Sequence, residues 1–225
     1  MGLIELALDF WVFGLIIFIS LAAILLEKKS KKRKALIDNY KFPQRITSQL
    51  AEKYPQLSAN DISQSLEQLK EYFHLCRMAM AEGVFNGKRS MVAMPSKIVD
   101  EAWHEFILFT KEYENFCKKV FGEFLHHSPA KAIQRKSEVE TSLQNAWRLA
   151  CARQGINPLK PNRIPLLFSI DEICNVSEGN RYVIGDSASP LEFSVSRIKC
   201  NGQSSNAYGG GSAGGCGGGG CGGGC

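Results

Sequence analysis

The apolar residues of segment 58–83 recur at spacings of three and four, which is the pattern of an amphipathic α-helix. The stripe is formed by Ile62, Leu66, Leu69, Phe73, Cys76 and Met80. Ser58 precedes the stripe as an N-cap candidate, and Asp61 follows three residues later in a variant of the capping box. Gly83 is the expected C-terminal stop. The segment therefore predicts one long amphipathic helix.

Two further segments show the same periodicity. The second predicted helix follows Ser96, another N-cap candidate. Its core face is formed by Val99, Trp103, Phe106, Thr110, Tyr113, Phe116, Cys117 and Val120. A third helix is expected from Ser128 and Pro129, which occupy preferred N-cap and N1 positions, to about Arg153. A short helix is expected between Pro43 and Pro55. Three long helices with short connections predict an all-α fold built on an antiparallel bundle.

The C-terminal part of the chain has a different character. Residues 164–200 are short β-prone or irregular pieces punctuated by Pro, Asn and Gly, which we expect to cap the bundle and which allow a small hairpin. The helical domain with this cap is thus predicted at residues 42–200. Glycine dominates residues 201–225, and such a tail cannot bury enough apolar surface to offset the entropy of ordering its backbone. We expect this tail to be disordered.

Residues 3–26 are almost entirely apolar, with Glu5 and Asp9 as their charged side chains. At a rise of ~1.5 Å per residue, a helix of this length covers ~36 Å and would cross a hydrocarbon core of ~30 Å. The alternatives are a cleaved signal peptide or a buried core helix. A signal peptide is disfavoured because the stretch starts with acids and runs directly into lysines. The sequence therefore predicts a transmembrane anchor at residues 1–27.

A basic collar, KKSKKRK at residues 28–34, follows the apolar stretch. Basic flanks of a membrane span stay on the cytoplasmic side. We therefore expect a single-pass protein of the bacterial inner membrane, with its N-terminus outside and a basic juxtamembrane linker at residues 28–41. Everything beyond residue 27 is then expected in the cytoplasm.

The charge distribution restricts the expected partners. The chain has 27 basic and 22 acidic residues, and most of this excess lies in the basic collar. Because the remainder is nearly neutral, the collar indicates contact with anionic lipid, and no nucleic-acid partner is expected. The membrane and a protein partner are the predicted contacts.

The cysteines predict no zinc ribbon or redox motif in the body of the protein, because no CxxC is present. The scattered cysteines are Cys76, Cys117, Cys151, Cys174 and Cys200. In a reducing cytoplasm they are expected as thiols. In the tail, Cys216, Cys221 and Cys225 could bind a soft metal through thiolates, although three thiolates make an open site.

Asp100 and His104 are the strongest candidates for chemistry. Their i, i+4 spacing lets a carboxylate and an imidazole point at one spot on a helix. Both could bind a divalent metal ion, or Asp100 could orient a general base. In an antiparallel hairpin, His74 and His104 would each lie ~12 Å from the connecting loop and therefore level with each other. His74, Asp100 and His104 are the predicted metal ligands.

His126 and His127 compete for the third ligand position. A straight helix from His104 to Val120 covers ~24 Å, so that only a fully stretched chain could return from its end to His104. We therefore expect both histidines in the turn before the next helix, away from His104.

A di-iron centre is a further alternative, because Glu71 with His74 and Glu101 with His104 both have Glu-x-x-His spacing. In di-iron bundles the carboxylates project into the core. Glu71 and Glu101 fall on the opposite side of their helices from the apolar stripe, which disfavours this centre.

A longer motif, D-x-x-W-H-x8-Y-x3-C, is formed by Asp100, Trp103, His104, Tyr113 and Cys117. It resembles the core motif of the glycine-rich domain-containing protein family, and the chain looks closest to its short bacterial relatives. The resemblance covers mainly residues 70–130, and the glycine-rich tail agrees with it. Plant and fungal members carry a W-H-x-H segment, whose second histidine is replaced here by Phe106. The resemblance implies a shared structural motif rather than a reaction.

Two functions are compatible with these features. The first is a membrane-anchored cytoplasmic helical protein that acts as a binding or scaffold module, with Asp100, Trp103 and His104 structural or ligand-binding. The second is a metal-dependent hydrolase or metal-binding protein that uses His74, Asp100 and His104 and takes a divalent metal ion as its cofactor.

Overall fold

The computed structural model describes residues 2–87, 90–127, 136–184 and 198–200 of the 225-residue chain. Within these residues the fold is mostly helical, as predicted, with one small sheet. The elements are α1 Gly2–Asp38, α2 Gln44–Lys53, α3 Ala59–Asn86, α4 Lys97–Leu108, α5 Thr110–Val120, α6 Lys136–Gln154, α7 Leu166–Ile173, β1 Tyr182–Ile184 and β2 Ile198–Cys200.

Helix α3 lies at the centre of the fold, where it contacts α1, α2, α4, α6 and α7. Its predicted capping box is confirmed, since Ser58 and Asp61 bond to each other's backbone N–H groups. The helix passes through Gly83 and ends at Gly87, whose φ of 67° is readily adopted only by glycine. Leu69 and Phe73 of its apolar face are fully buried. The amphipathic pattern thus predicted the helix and its buried face but not its last turn.

The second predicted helix is in fact two helices. Phe109 separates α4 from α5, with φ −81° and ψ 60°, and its N–H bonds to the carbonyl of Phe106 instead of continuing the α-helical pattern. The N–H of Tyr113 then bonds to the carbonyl of Phe109 and starts α5. Both helices keep their apolar faces in one core, because the Phe106 ring contacts those of Tyr113 and Phe116. The prediction of one straight helix over residues 96–120 is wrong.

The N-terminus of α4 is held from outside the helix. Ser96 caps it by accepting a bond from the Val99 N–H, as predicted. The buried carboxylate of Asp171 accepts further bonds from the N–H groups of Lys97 and Ile98 and from the Ser96 hydroxyl. A negative charge at a helix N-terminus is favourable because the unpaired N–H groups point at it. These bonds fix the helix that carries Asp100.

The C-terminal segment contains a helix that the sequence pattern did not predict. Residues 164–168, expected as β-prone or irregular, enter α7 after Pro165, and Leu167, Phe168 and Ile170 are buried. The hairpin pattern is confirmed in part, since β1 and β2 pair antiparallel with Tyr182 opposite Cys200. The cap on the bundle is therefore part helix and part sheet.

The predicted membrane anchor is not supported. Across the part of the chain that the structure describes, no helix is both long enough and apolar enough to cross a membrane. The predicted transmembrane helix at residues 1–27, the single-pass topology and the inner-membrane location are thereby overturned.

The C-terminal end of α1 packs on the bundle. Ile37 is fully buried, and Arg77 of α3 donates a bond to Ser30.

Cys76, Cys117, Cys151 and Cys174 are free thiols, and all four are buried. The predicted disordered tail, its three cysteines and the start of the third long helix lie outside the described residues.

Candidate metal site

Asp100 and His104 lie one turn apart on the same face of α4, as their spacing predicted. A carboxylate oxygen of Asp100 and Nε2 of His104 are 3.7 Å apart. Both side chains reach solvent, since that of His104 is 43% exposed and that of Asp100 is 33% exposed. The pair therefore forms a polar site at the edge of the core.

His127 is the third member of this site. Its Nε2 lies 2.8 Å from the other carboxylate oxygen of Asp100, and its ring centroid is 4.5 Å from that of His104. Taken together, the three residues each offer a ligand atom within 4.8 Å of the others. The prediction that His127 stays away from His104 is wrong, because it assumed one straight helix from His104 to Val120, and that helix is interrupted at Phe109.

The segment after α5 brings His127 to α4. The N–H groups of Phe121 and Gly122 both bond to the carbonyl of Cys117, which closes the helix. Gly122 has φ 88°, a conformation that other residues rarely adopt. The Phe124 ring then contacts the Tyr113 ring, at 5.3 Å between centroids. After Gly122 the chain therefore returns to α4, where His127 contacts Asp100 and Trp103.

Trp103 and Tyr113 of the sequence motif tie this segment down. The indole N–H of Trp103 donates to the Tyr113 hydroxyl at 3.1 Å, and that hydroxyl donates to the carbonyl of Leu125 at 2.6 Å. Burial is the main cause that raises the pKa of Tyr113 well above its ordinary value, so the hydroxyl keeps its proton and remains a donor. Leu125 lies two residues before His127, and its position limits where that histidine can go.

Cys117 also contacts this segment. Burial is the main cause that raises the pKa of its thiol, and hydrogen bonds with the Leu125 backbone and the Tyr113 side chain oppose the shift. The thiol is fully buried, and it does not belong to the cluster of ligand atoms around Asp100. The motif therefore divides into an Asp/His pair at the surface and a buried Trp–Tyr–Cys set behind it.

The Trp103 ring packs directly on His127, at 4.3 Å between centroids. Trp103 is only 3% exposed and also contacts the rings of Tyr72 and Phe73. Its position in the core excludes it from a surface ligand-binding role. It instead forms the wall against which the imidazole of His127 rests.

His74 is not part of the site, contrary to prediction. Its Nε2 bonds to the Asp38 carboxylate at 2.7 Å, and its side chain is 3% exposed. Because α3 extends to Asn86, His74 lies ~18 Å from the end of its helix rather than ~12 Å. His74 and His104 therefore do not lie at the equal distances from the connecting loop that were expected.

The two glutamates of the Glu-x-x-His pattern have other partners. Glu71 forms a two-pronged ion pair with Arg153, and Glu101 pairs with Lys53. Both pairs hold neighbouring elements together at the surface. Neither carboxylate belongs to the cluster of ligand atoms around Asp100.

Two imidazoles and one carboxylate are a ligand set that divalent transition metals accept. Zinc binds His nitrogen and Asp oxygen at ~2.0–2.2 Å, and catalytic zinc sites use three protein ligands with an open position. Two histidines and one carboxylate also form the open facial set of non-haem iron(II) sites. The three residues here match either set in number and type.

Comparison with curated proteins and with solved structures gives no match for this chain. The resemblance to glycine-rich domain-containing proteins is not addressed by these comparisons and stays a prediction. A family model described as UCP032817-like matches residues 32–203, which contain every element from α2 to β2 and the whole candidate site. This match covers most of the sequence, and the chain therefore belongs to the UCP032817-like family.

Proposed function

We propose that this protein binds one divalent transition-metal ion through Asp100, His104 and His127. The observation that carries the proposal is the convergence of three ligand atoms from two separate parts of the chain within 4.8 Å. His104 and Asp100 come from α4, whereas His127 arrives on the segment after α5. A chance cluster of exposed acids on one helix would not bring a second imidazole to the same carboxylate.

The directions of the ligand atoms support metal binding over general base catalysis alone. Nε2 of both histidines faces Asp100, each toward a different oxygen of its carboxylate. An Asp–His pair that works as a general base needs the second ring nitrogen aimed at a nucleophile or a water. Here two ring nitrogens and a carboxylate meet at one point, where a cation can replace the shared proton.

The site leaves room for further ligands. A zinc or iron ion held by three protein ligands would keep at least one position for water or substrate. Solvent reaches the site, since the His104 side chain is 43% exposed. A metal ion held in this way lowers the pKa of bound water and polarises carbonyl or phosphoryl groups. We therefore propose metal-dependent hydrolysis as the reaction class that this site would support.

Zinc titration of the metal-free full-length protein tests the proposal. We expect one Zn²⁺ per chain, and we expect His104→Ala to weaken binding by at least ~100-fold because it removes a direct ligand. His126→Ala is the matched control. His126 is exposed, directly precedes His127 and has its own ring in contact with Phe124 rather than with Asp100. Wild type that takes up no zinc, or equal binding by the His104 and His126 variants, would contradict the proposal.

A binding or scaffold role is a second proposal, and the exposed apolar side chains of α1 support it. Trp11 is 78% exposed and belongs to a series of exposed apolar side chains that continues to Leu26. A contiguous exposed apolar surface commonly marks a contact with another molecule. A photo-cross-linking residue at Trp11 should capture a protein partner in the living cell. The same residue at Val84, an apolar position of α3 that is 82% exposed, should not. Equal cross-linking at both positions would argue against a specific partner.

A further inference from the structure

We infer that Tyr113 is a positioning residue: by holding the backbone of Leu125, it keeps His127 in place for metal binding before the metal ion arrives. The inference rests on the proposed function, because it concerns how the third ligand, His127, is presented. Residues 124–127 have no regular secondary structure, so no helix or sheet hydrogen bonds fix this segment. Its position depends on the side chains that bond to it.

Tyr113 holds this segment at two points. Its hydroxyl donates the 2.6 Å bond to the Leu125 carbonyl, and its ring contacts that of Phe124 at 5.3 Å between centroids. Tyr113 itself is fixed in the core, since it is 1% exposed. A buried residue of α5 therefore holds the backbone of the following segment.

The same chain of bonds reaches α4. Trp103 donates to Tyr113 through its indole N–H and packs its ring on His127. Trp103 directly precedes His104 in the sequence. The residue that supports His127 is therefore the neighbour of another proposed ligand, His104. The hydrogen-bond chain thus connects the two parts of the protein that supply the ligands.

Loss of the Tyr113 hydroxyl would break this connection at its centre. The variant Tyr113→Phe keeps the ring and its packing but leaves the Trp103 N–H and the Leu125 carbonyl without this partner in a buried place, which is unfavourable. We expect the 124–127 segment to shift away from Tyr113 and to carry His127 with it. Groups that orient metal ligands from behind typically contribute 10–100-fold to metal affinity.

The test compares Tyr113→Phe with Tyr182→Phe in the full-length protein. Tyr182 is a matched control, since its buried hydroxyl also donates to a backbone carbonyl, that of Pro95, at 2.8 Å. We expect Tyr113→Phe to bind zinc ~10–100-fold more weakly and Tyr182→Phe to bind it as wild type does. The visible spectrum of bound Co²⁺ should change in Tyr113→Phe alone, because it reports ligand geometry rather than stability.

The outcomes separate the inference from the proposed function. If the wild-type protein binds no zinc, both the proposed metal binding and the inferred role of Tyr113 are overturned. Wild type that binds zinc, with Tyr113→Phe matching it in affinity and Co²⁺ spectrum, would overturn the inference and leave the metal site standing. If Tyr113→Phe does not fold, Phe124→Ala decides by the same titration, because the Phe124 ring contacts the Tyr113 ring at 5.3 Å between centroids. Leu159→Ala is its control, since both side chains are 42% exposed. Weaker zinc binding by Phe124→Ala alone would support the inference, and equal binding by both would overturn it.

Discussion

His74 is a buried histidine whose environment makes protein stability depend on pH. Burial is the main cause that lowers its pKa from the ordinary 6.5, and the nearby Arg153 adds to the shift, while Asp38 and Glu71 oppose it. The folded protein therefore holds a proton on His74 less readily than the unfolded chain does. Stability from this group is complete above about pH 6.5 and is lost as pH falls through the lowered pKa.

The prediction is that the free energy of unfolding decreases between about pH 7 and about pH 5, and that His74→Gln makes this decrease smaller. Urea unfolding at a series of pH values measures it. His126→Gln, at an exposed histidine, should retain the slope of wild type. An unchanged slope in His74→Gln would show that the buried imidazole does not cause the pH dependence.

Individual ligands differ in how far the sequence could reveal them. Asp100 and His104 were predicted because an i, i+4 pair depends only on local helix geometry. His127 was missed because its approach depends on a turn that lies between it and α4. One signal for that turn exists in the charges of α5, which has Glu112 in its first turn and Lys118 and Lys119 in its last, as an independent helix would.

At the scale of elements, α4 depends on a cap from elsewhere in the chain. Asp171 is 1% exposed and accepts bonds from three backbone N–H groups, those of Lys97, Ile98 and Asn180. We expect Asp171→Ala to lower the free energy of unfolding by ~3 kcal/mol or more, because buried donors then lose their acceptor. Asp61→Ala, which removes the exposed local cap of α3, should lower it by only ~1 kcal/mol.

Chemical denaturation of the two aspartate variants measures the difference. Equal losses would show that the contact of Asp171 with α4 adds nothing beyond an ordinary cap. A larger loss in Asp171→Ala would establish that α7 stabilises the helix that carries Asp100 and His104, two of the proposed metal ligands.

The end of α5 gives a second prediction for an element. Gly122 and Gly155 both have positive φ, 88° and 65°, so an alanine at either position strains the backbone by ~1 kcal/mol. A Cβ at Gly122 would also lie 2.9 Å from the Arg33 side chain, whereas one at Gly155 meets no atom within 4 Å. Because only Gly122 begins the segment that carries His127, Gly122→Ala alone should weaken zinc binding. Zinc titration of both variants checks this, and equal affinities would contradict it.

The helices themselves were predictable to differing degrees. The apolar stripe and capping box of α3 are local patterns, and both were found from sequence. The division of α4 from α5 was not, because Phe106 and Tyr113 continue one apolar stripe across Phe109 with no Gly or Pro between them. The apolar pattern therefore gives no sign of the break, and only the charges at the two ends of α5 indicate it.

At the scale of the whole molecule, the candidate site lies at the edge of the core. The core is centred on α3, while Asp100 and His104 are partly exposed at its edge. Substitutions of partly exposed side chains usually change stability by less than ~0.5 kcal/mol. Loss of metal in the His104 variant can therefore be read as loss of a ligand rather than loss of the fold.

The predicted membrane anchor shows where composition was insufficient. It rested on the apolar content of residues 3–26, whereas no helix of the described residues is both long enough and apolar enough to cross a membrane. The predicted contact of the basic collar with anionic lipid is a separate matter and stays a prediction.

The central claim is that Asp100, His104 and His127 bind the same metal ion. A crystal of the full-length protein with zinc, with diffraction recorded on both sides of the zinc absorption edge, tests it most directly. We expect one anomalous peak ~2.0–2.2 Å from an Asp100 oxygen and from Nε2 of both histidines. A zinc peak bound by other residues, with His127 still hydrogen-bonded to Asp100 and no metal between them, would contradict the claim.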